Sequence, residues 1–329
     1  MKKWDLPKGW EWKHLRDVSS VRGGNGAPQN DKYFENGKYN FIRTSDLGIV
    51  GKTSNLDCSR DKINDAAVME LGFRLIPKYS TLIPKSGAST FLNHRALTTK
   101  DSYISSHLAA IVPKSGIDPK FIYYWSITLD TKNITNDVNY PSLRLTDLEA
   151  VDIPVPPLGT QQRIVAILEK AEEIKHLRAK ANAQTQKLIQ SVFLDMFGDP
   201  MKNTKNFEKR RLGDLVDSIK KVDSSLLDQF HYIDIDSVDN YLNIISNPKI
   251  IAGTEAPSRA RQLVRKDDIL FSTVRPYLKN IAIVPEYLDG QVASTGFCII
   301  RSKIPEFVPF LFHLLLSDSF VDSLKEFYR

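Results

Sequence analysis

The chain has 329 residues, 42% apolar and 26% charged, which suits about two folded domains and excludes a disordered or collagen-like protein. Its formal charge of +6 is unevenly placed: residues 1–150 hold 21 basic and 16 acidic side chains, 151–200 hold 6 of each, and 201–329 hold 18 and 17. So mild an excess permits nucleic-acid binding without requiring it, while the two isolated cysteines, Cys58 and Cys298, exclude a disulfide framework and a thiolate metal site.

The opening MKKWDLPKGWEWKHL mixes tryptophan with charge and lacks the apolar run of a signal peptide. No later stretch reaches the roughly 18 uninterrupted apolar residues of a membrane span, so a cytoplasmic protein without membrane association is expected. After a short amphipathic run, WKHLRDVSSV at 12, alternating apolar residues predict strands in YNFIRTSDL at 39, RLIPKYSTLIPKSG at 74 and ISSHLAAIV at 104. PKFIYYWSITLD at 119 reads as a helix. The same order then recurs in KRRLGDLVDSI at 209, HYIDIDSVD at 231, QLVRKDDILFSTVRP at 262, ASTGFCII at 293 and PEFVPFLFHLLLSD at 305. This self-similarity predicts two copies of one mixed α/β domain.

Between the copies, Pro154, Pro156 and Pro157 hold the chain extended, and Thr160 after Gly159 is the expected N-cap. From Gln161 to Phe197 there is neither Pro nor Gly, and Gly198 and Pro200 supply the stop. A single helix of roughly 55 Å follows at 1.5 Å per residue. Ile164, Ile167, Ala171, Ile174, Leu177, Ala181, Leu188 and Val192 recur at three- and four-residue steps, the pattern of a seam that buries against another helix.

Motifs for chemistry are missing. GIVGKT at 48 has Asp46 where a phosphate-binding loop needs glycine, and RGGNGAP at 22 lacks dinucleotide-fingerprint spacing and reads as a turn-rich loop. The six histidines are scattered without zinc-ligand spacing, and NIT at 133, a glycosylation triplet, has no meaning in a cytoplasmic chain. No nucleophile elbow and no Asn-Pro-Pro-aromatic tetrapeptide of a DNA amino-methyltransferase is present. Nothing commits the chain to catalysis.

The segment IPVPPLGTQQRIVAILEKAEEIKHLRAKANAQTQKLIQSVFLDMFGDP at 153–200 closely resembles the central conserved region of the specificity subunit of Type I restriction-modification systems. NYPSLRLTDLEAVDIPVPPL at 139 and LPKGWEWKHLRDV at 6 are similar to that family's domain ending and domain opening. The resemblance implies an α+β architecture: target recognition domain 1 at 1–152, a proline strap and spacer helix at 153–200, and target recognition domain 2 at 201–329. The helix would form an antiparallel coiled coil with a second helix from the same or another chain. Each domain would read half of a split target in double-stranded DNA, separated by more than one turn of B-DNA at about 34 Å per turn. The implied partners are modification (methyltransferase) subunits and a restriction/motor subunit. S-adenosylmethionine, ATP and Mg would belong to those partners, with no cofactor, metal or catalytic residue in this chain. Family members carry a second conserved helix after domain 2, whereas this sequence stops at KEFYR, near the equivalent of Tyr140. Domain 2 is therefore expected to be C-terminally truncated, with the partner helix supplied by a second copy.

Base readout needs donors and acceptors on rigid loops, with Lys and Arg for phosphates. The candidates in domain 1 are Arg22 and Asn25 on the Gly-rich loop, Arg43 and Ser45, Lys85 and Ser86, Asn93, His94 and Arg95, and Ser105, Ser106 and His107. Those in domain 2 are Ser272, Thr273, Arg275, Tyr277 and Lys279, then Ser294 and Thr295. His107 has the alternative reading of a core histidine. The competing function is a helix-mediated adaptor whose repeated domains bind proteins.

Overall fold

In the N-terminal half, short apolar runs alternate with polar loops, and each run forms a strand or a helix in the computed structural model, which describes residues 4–50, 54–135 and 141–326. Residues 51–53 of GIVGKT, Asn139 and Tyr140, and 327–329 of KEFYR lie outside the described residues. The chain divides into two compact units, Met1–Lys175 and His176–Arg329.

Unit 1 begins with β1 (Glu11–His14), α1 (Leu15–Val18), β2 (Ser19–Gly23), β3 (Tyr39–Ile42), α2 (Thr44–Val50), β4 (Ser54–Leu56), β5 (Asp61–Ile63) and α3 (Asp65–Glu70). It continues with β6 (Thr81–Pro84), β7 (Ala96–Thr98), β8 (Tyr103–Ile104), β9 (Leu108–Pro113), α4 (Pro119–Thr128), α5 (Leu145–Glu149) and β10 (Asp152–Val155). One sheet has the order β2-β9-β6-β7-β4, another β5-β3-β8, and β1 pairs with β10. Strands β6 and β9 are apolar without alternation because both of their faces are covered. Ile83, Ala109 and Ile111 pack against Phe121, Ile122 and Trp125 of α4. Leu82, Leu108 and Ala110 face the other way, onto Ile42, Leu47 and Ile76. Each fully buried Leu or Ile contributes about 1.5–3 kcal/mol, so this doubly covered pair is the main stabilising element of the unit.

Unit 2 repeats the plan. It comprises the latter part of α6 (Leu158–Phe197), then α7 (Leu212–Leu215), β11 (Val216–Asp217), β12 (Gln229–Ile233), β13 (Val238–Asp239), β14 (Ile244–Ile245), β15 (Lys249–Ala252) and β16 (Ala260–Leu263). After these come β17 (Ile269–Ser272), β18 (Ile281–Ile283), β19 (Val292–Ser294), β20 (Phe297–Ser302), α8 (Val308–Leu316) and α9 (Asp318–Ser323). The order β11-β20-β17-β18 matches β2-β9-β6-β7, and the parallel pair β12 and β19 matches β3 and β8. Ile269, Phe271 and Ile300 meet Val308, Leu311 and Leu315 of α8, while Leu270 and Ile299 face Ile233, Val264 and Ala282. The layering of unit 1 is thus reproduced, as the repeated sequence pattern predicts.

The central helix has 40 residues and starts three residues before Gln161. Thr160 is therefore not the N-cap, which corrects the sequence reading. The carbonyl of Pro157 instead accepts from Thr160 and Gln161 backbone N–H groups at 2.8 and 3.0 Å, because the strap's fixed φ already points the chain into the helix. A buried side chain then fastens the helix start to unit 1. Gln161 is 1% exposed; its Oε1 accepts from the Asp118 backbone N–H at 2.8 Å and its Nε2 donates to the Pro156 carbonyl at 2.9 Å. Tyr124 donates to Glu172 at 3.1 Å and Lys120 pairs with Glu169, so α4 and the first turns of α6 are joined inside unit 1. Burial and the neighbouring Glu172 push the Tyr124 hydroxyl pKa up. At the other end Gly198 takes φ of +71° and donates to the Leu194 carbonyl at 2.8 Å, a left-handed glycine stop.

Candidate nucleic-acid interface

In unit 1 the end of β6 and the start of β9 bring two candidate loops together. Lys85 N–H donates to the His107 carbonyl at 2.9 Å, and Ser86 Oγ lies 2.6 Å from His107 Nδ1. His107 is exposed, which overturns the core alternative. The Gly-rich loop packs against the same strand end: Gly24 N–H donates to Leu108 and Asn25 N–H to Ile104. A Cβ on Gly24 would collide with the Ile104 and Ser105 carbonyls, so glycine there is a packing requirement. Asn25 Oδ1 accepts from Arg74 N–H at 3.1 Å, and Arg22 is exposed on β2. Lys85, Ser86, Ser106, His107 and the Gly-rich loop therefore converge, with Ser106 half-buried.

The remaining unit 1 candidates lie elsewhere. Arg43 forms an ion pair with Asp61 at 2.5 Å without hydrogen-bond geometry, and Ser45 is exposed at the start of α2. Asn93, at φ of +52°, donates to the Ile127 carbonyl at 2.9 Å, and His94 is half-buried beside it. Arg95 is a correction: it is 0% exposed, and its guanidinium donates to the carbonyls of Ser126 at 3.1 Å, Leu129 at 3.2 Å and His94 at 2.8 Å. Burial pushes its pKa down to about 10. It closes the C-terminal end of α4, where positive charge complements the helix dipole. Ser105 is also buried, and its Oγ has no hydrogen-bond partner among the described residues.

Unit 2 presents the equivalent loop pair. Thr273 N–H and Oγ1 both donate to the Gly296 carbonyl at 2.9 Å, the counterpart of the Lys85–His107 bond. Ser272 and Ser294 are buried, which corrects their reading as surface contacts. Ser272 Oγ donates to the Val274 carbonyl at 2.9 Å, and Ser294 Oγ accepts from Gly296 N–H at 3.1 Å; both set the loop shape. Lys279 pairs with Asp318 at 2.6 Å and is largely engaged there. Arg275, Tyr277 and Thr295 are exposed. Sequence reasoning missed Asn240 and Asn243, which donate to the Leu278 and Lys279 carbonyls at 2.9 and 3.1 Å and clamp the loop from 36 or more residues away. No local pattern announces such clamps.

Along α6, Ile164 is half-buried against the unit 1 core, so part of its surface is already covered within the unit. Ile167 (69% exposed), Ile174 (46%), Leu177 (52%), Leu188 (64%) and Val192 (48%) remain open, as do Ala171 and Ala181. Among the described residues no three His, Cys, Asp or Glu side chains are arranged to hold a metal, and no helix is long and apolar enough to cross a membrane.

Two copies of one α/β unit, each with a paired loop at the same strand ends, and a 40-residue helix with an open apolar stripe define a twin-unit helical scaffold. The family model described as "Type I restriction modification DNA specificity domain" matches residues 7–186, and the chain belongs to that family. It is 26% identical over 232 residues to the Type I restriction enzyme MjaIX specificity subunit of Methanocaldococcus jannaschii, covering 64% of this chain and 52% of that protein. It is 30% identical over 173 residues to the EcoR124I/EcoR124II specificity subunit of Escherichia coli, covering 50% of this chain and 41% of that one. The chain thus spans about half or less of the length of these relatives. Its fold matches the crystal structure of a Type-I restriction-modification system S subunit from M. genitalium with a TM-score of 0.53 at 14% identity, over 98% of this chain and 82% of that one.

Proposed function

We propose that the chain is a DNA-reading and scaffold subunit of a cytoplasmic Type I restriction-modification complex. Each unit reads one half of a bipartite duplex target through its loop pair, and the open stripe of α6 seats a partner helix and helps dock methyltransferase subunits. The chain itself catalyses nothing. Methyl transfer from S-adenosylmethionine belongs to the methyltransferase subunits, and Mg- and ATP-dependent translocation and cleavage to a restriction subunit. The observation that supports this reading best is the recurrence of the loop pair: Lys85, Ser86 and His107 in unit 1, and Thr273, Arg275 and Tyr277 in unit 2, at matching strand ends.

Affinity for a random-sequence duplex, measured by fluorescence anisotropy between 50 and 200 mM salt, tests it. Neutralised phosphates release counterions, so log affinity is expected to fall linearly with log salt, with a slope of about −0.9 per phosphate contacted. Absence of duplex binding across that range would favour the adaptor reading instead.

A further inference from the structure

The repeat places glycine in one unit and arginine in the other at an equivalent position where φ is positive in both. Registers β6 to β9 and β17 to β20 make Thr81 equivalent to Ile269 and Leu108 to Phe297, and the Lys85 and Thr273 hydrogen bonds agree. Counting onward makes Gly87 equivalent to Arg275. Both precede a 3-10 turn at positive φ, but Gly87 is extended there (φ +72°, ψ −175°), whereas Arg275 is left-handed (φ +51°, ψ +61°). Each turn ends on a left-handed residue, Asn93 or Lys279. Glycine adopts positive φ freely, whereas a Cβ crowds the following carbonyl there. Arg275 also precedes Pro276, whose ring disfavours a helical backbone at the residue before it.

Packing does not account for arginine at this site. A Cβ built on Gly87 meets nothing within 4 Å, so crowding does not impose glycine in unit 1, and Arg275 itself is exposed. Lys279, equally left-handed, pairs with Asp318, whereas among the described residues no hydrogen bond or ion pair engages the exposed Arg275 guanidinium. The loop beneath it is rigid: Ser272 holds Val274, Leu278 N–H donates to the Arg275 carbonyl at 2.9 Å, and Asn240 holds Leu278.

From these observations, and resting on the DNA-reading function above, we infer that Arg275 is a specificity-determining residue that reads a guanine edge in the half-site bound by unit 2. A fixed, strained backbone aims the guanidinium fork, which matches guanine O6 and N7 as a bidentate donor. A phosphate contact would need only charge, which a flexible lysine on a relaxed turn supplies.

The test compares the full chain with Arg275→Gly by selection from a random-sequence duplex library and by thermal melting. Wild type is expected to select a G·C pair at one fixed position, and Arg275→Gly to lose that preference by about 10-fold or more with the other positions kept. The same variant is expected to melt about 2 °C higher, because strain is relieved. Unchanged selection, weakening that is uniform over all sequences, or a lower melting temperature would overturn the inference. Selection of no motif by wild type would instead overturn the DNA-reading function beneath it.

Discussion

Arg95 and Arg275 look alike in the sequence, each a basic residue in a loop near a strand, yet the fold gives them opposite environments. Arg95 bonds the Ser126 and Leu129 carbonyls at the end of α4 and the carbonyl of its neighbour His94, inside unit 1. Arg95→Ala leaves those acceptors buried and unpaired, and is expected to destabilise unit 1 by about 3 kcal/mol. Urea unfolding followed by tryptophan fluorescence reads this cleanly, since all four tryptophans lie in the first 125 residues. A wild-type midpoint together with weakened duplex binding would return Arg95 to the surface. The difference between the two arginines was illegible because two of the three partners of Arg95 stand more than 30 residues along the chain and all are backbone groups, which carry no sequence signature. Likewise Ser272 and Ser294 read as polar loop residues, but their hydroxyls fold the loop instead of facing solvent.

At the scale of elements, much more could be read. The absence of Pro and Gly between Gln161 and Phe197 predicts the long helix, and its end at Gly198 agrees with the structure. The start was misplaced because an N-cap rule looks for a hydroxyl, whereas here the helix begins directly after the prolines and the Pro157 carbonyl accepts its first backbone bonds. The recurrence of the same strand and helix runs in both halves was legible, whereas the strand order within each sheet was not, because it pairs segments far apart in the chain. The open stripe also carries an expectation about assembly. Ile174→Lys with Leu177→Lys removes two side chains that are about half exposed, so chain stability should change by no more than about 0.5 kcal/mol. Light scattering after size-exclusion chromatography is expected to find a self-associated wild type and a monomeric double variant. A monomeric wild type would contradict helix pairing between copies.

At the scale of the whole molecule, duplication predicts the form of the target. If each unit reads DNA as proposed, two units of the same topology imply two short words, not one. Sequencing methylated adenines genome-wide, in a host with and without this protein, is expected to reveal a split motif with an unread gap that disappears with the protein. One short unbroken motif would contradict the proposal. The basic excess lies in 1–150, whereas 201–329 is nearly balanced, so the half read by unit 1 should contribute more of the salt sensitivity. The fastening of Gln161 bears on how such a molecule can be rebuilt. Because that side chain bonds the backbone of Asp118 and Pro156, unit 1 carries its own fastening for the helix. A chimera spliced downstream of Gln161 would inherit a matched socket and shaft from one parent, whereas a cut within the prolines would force the fitting to be remade between strangers.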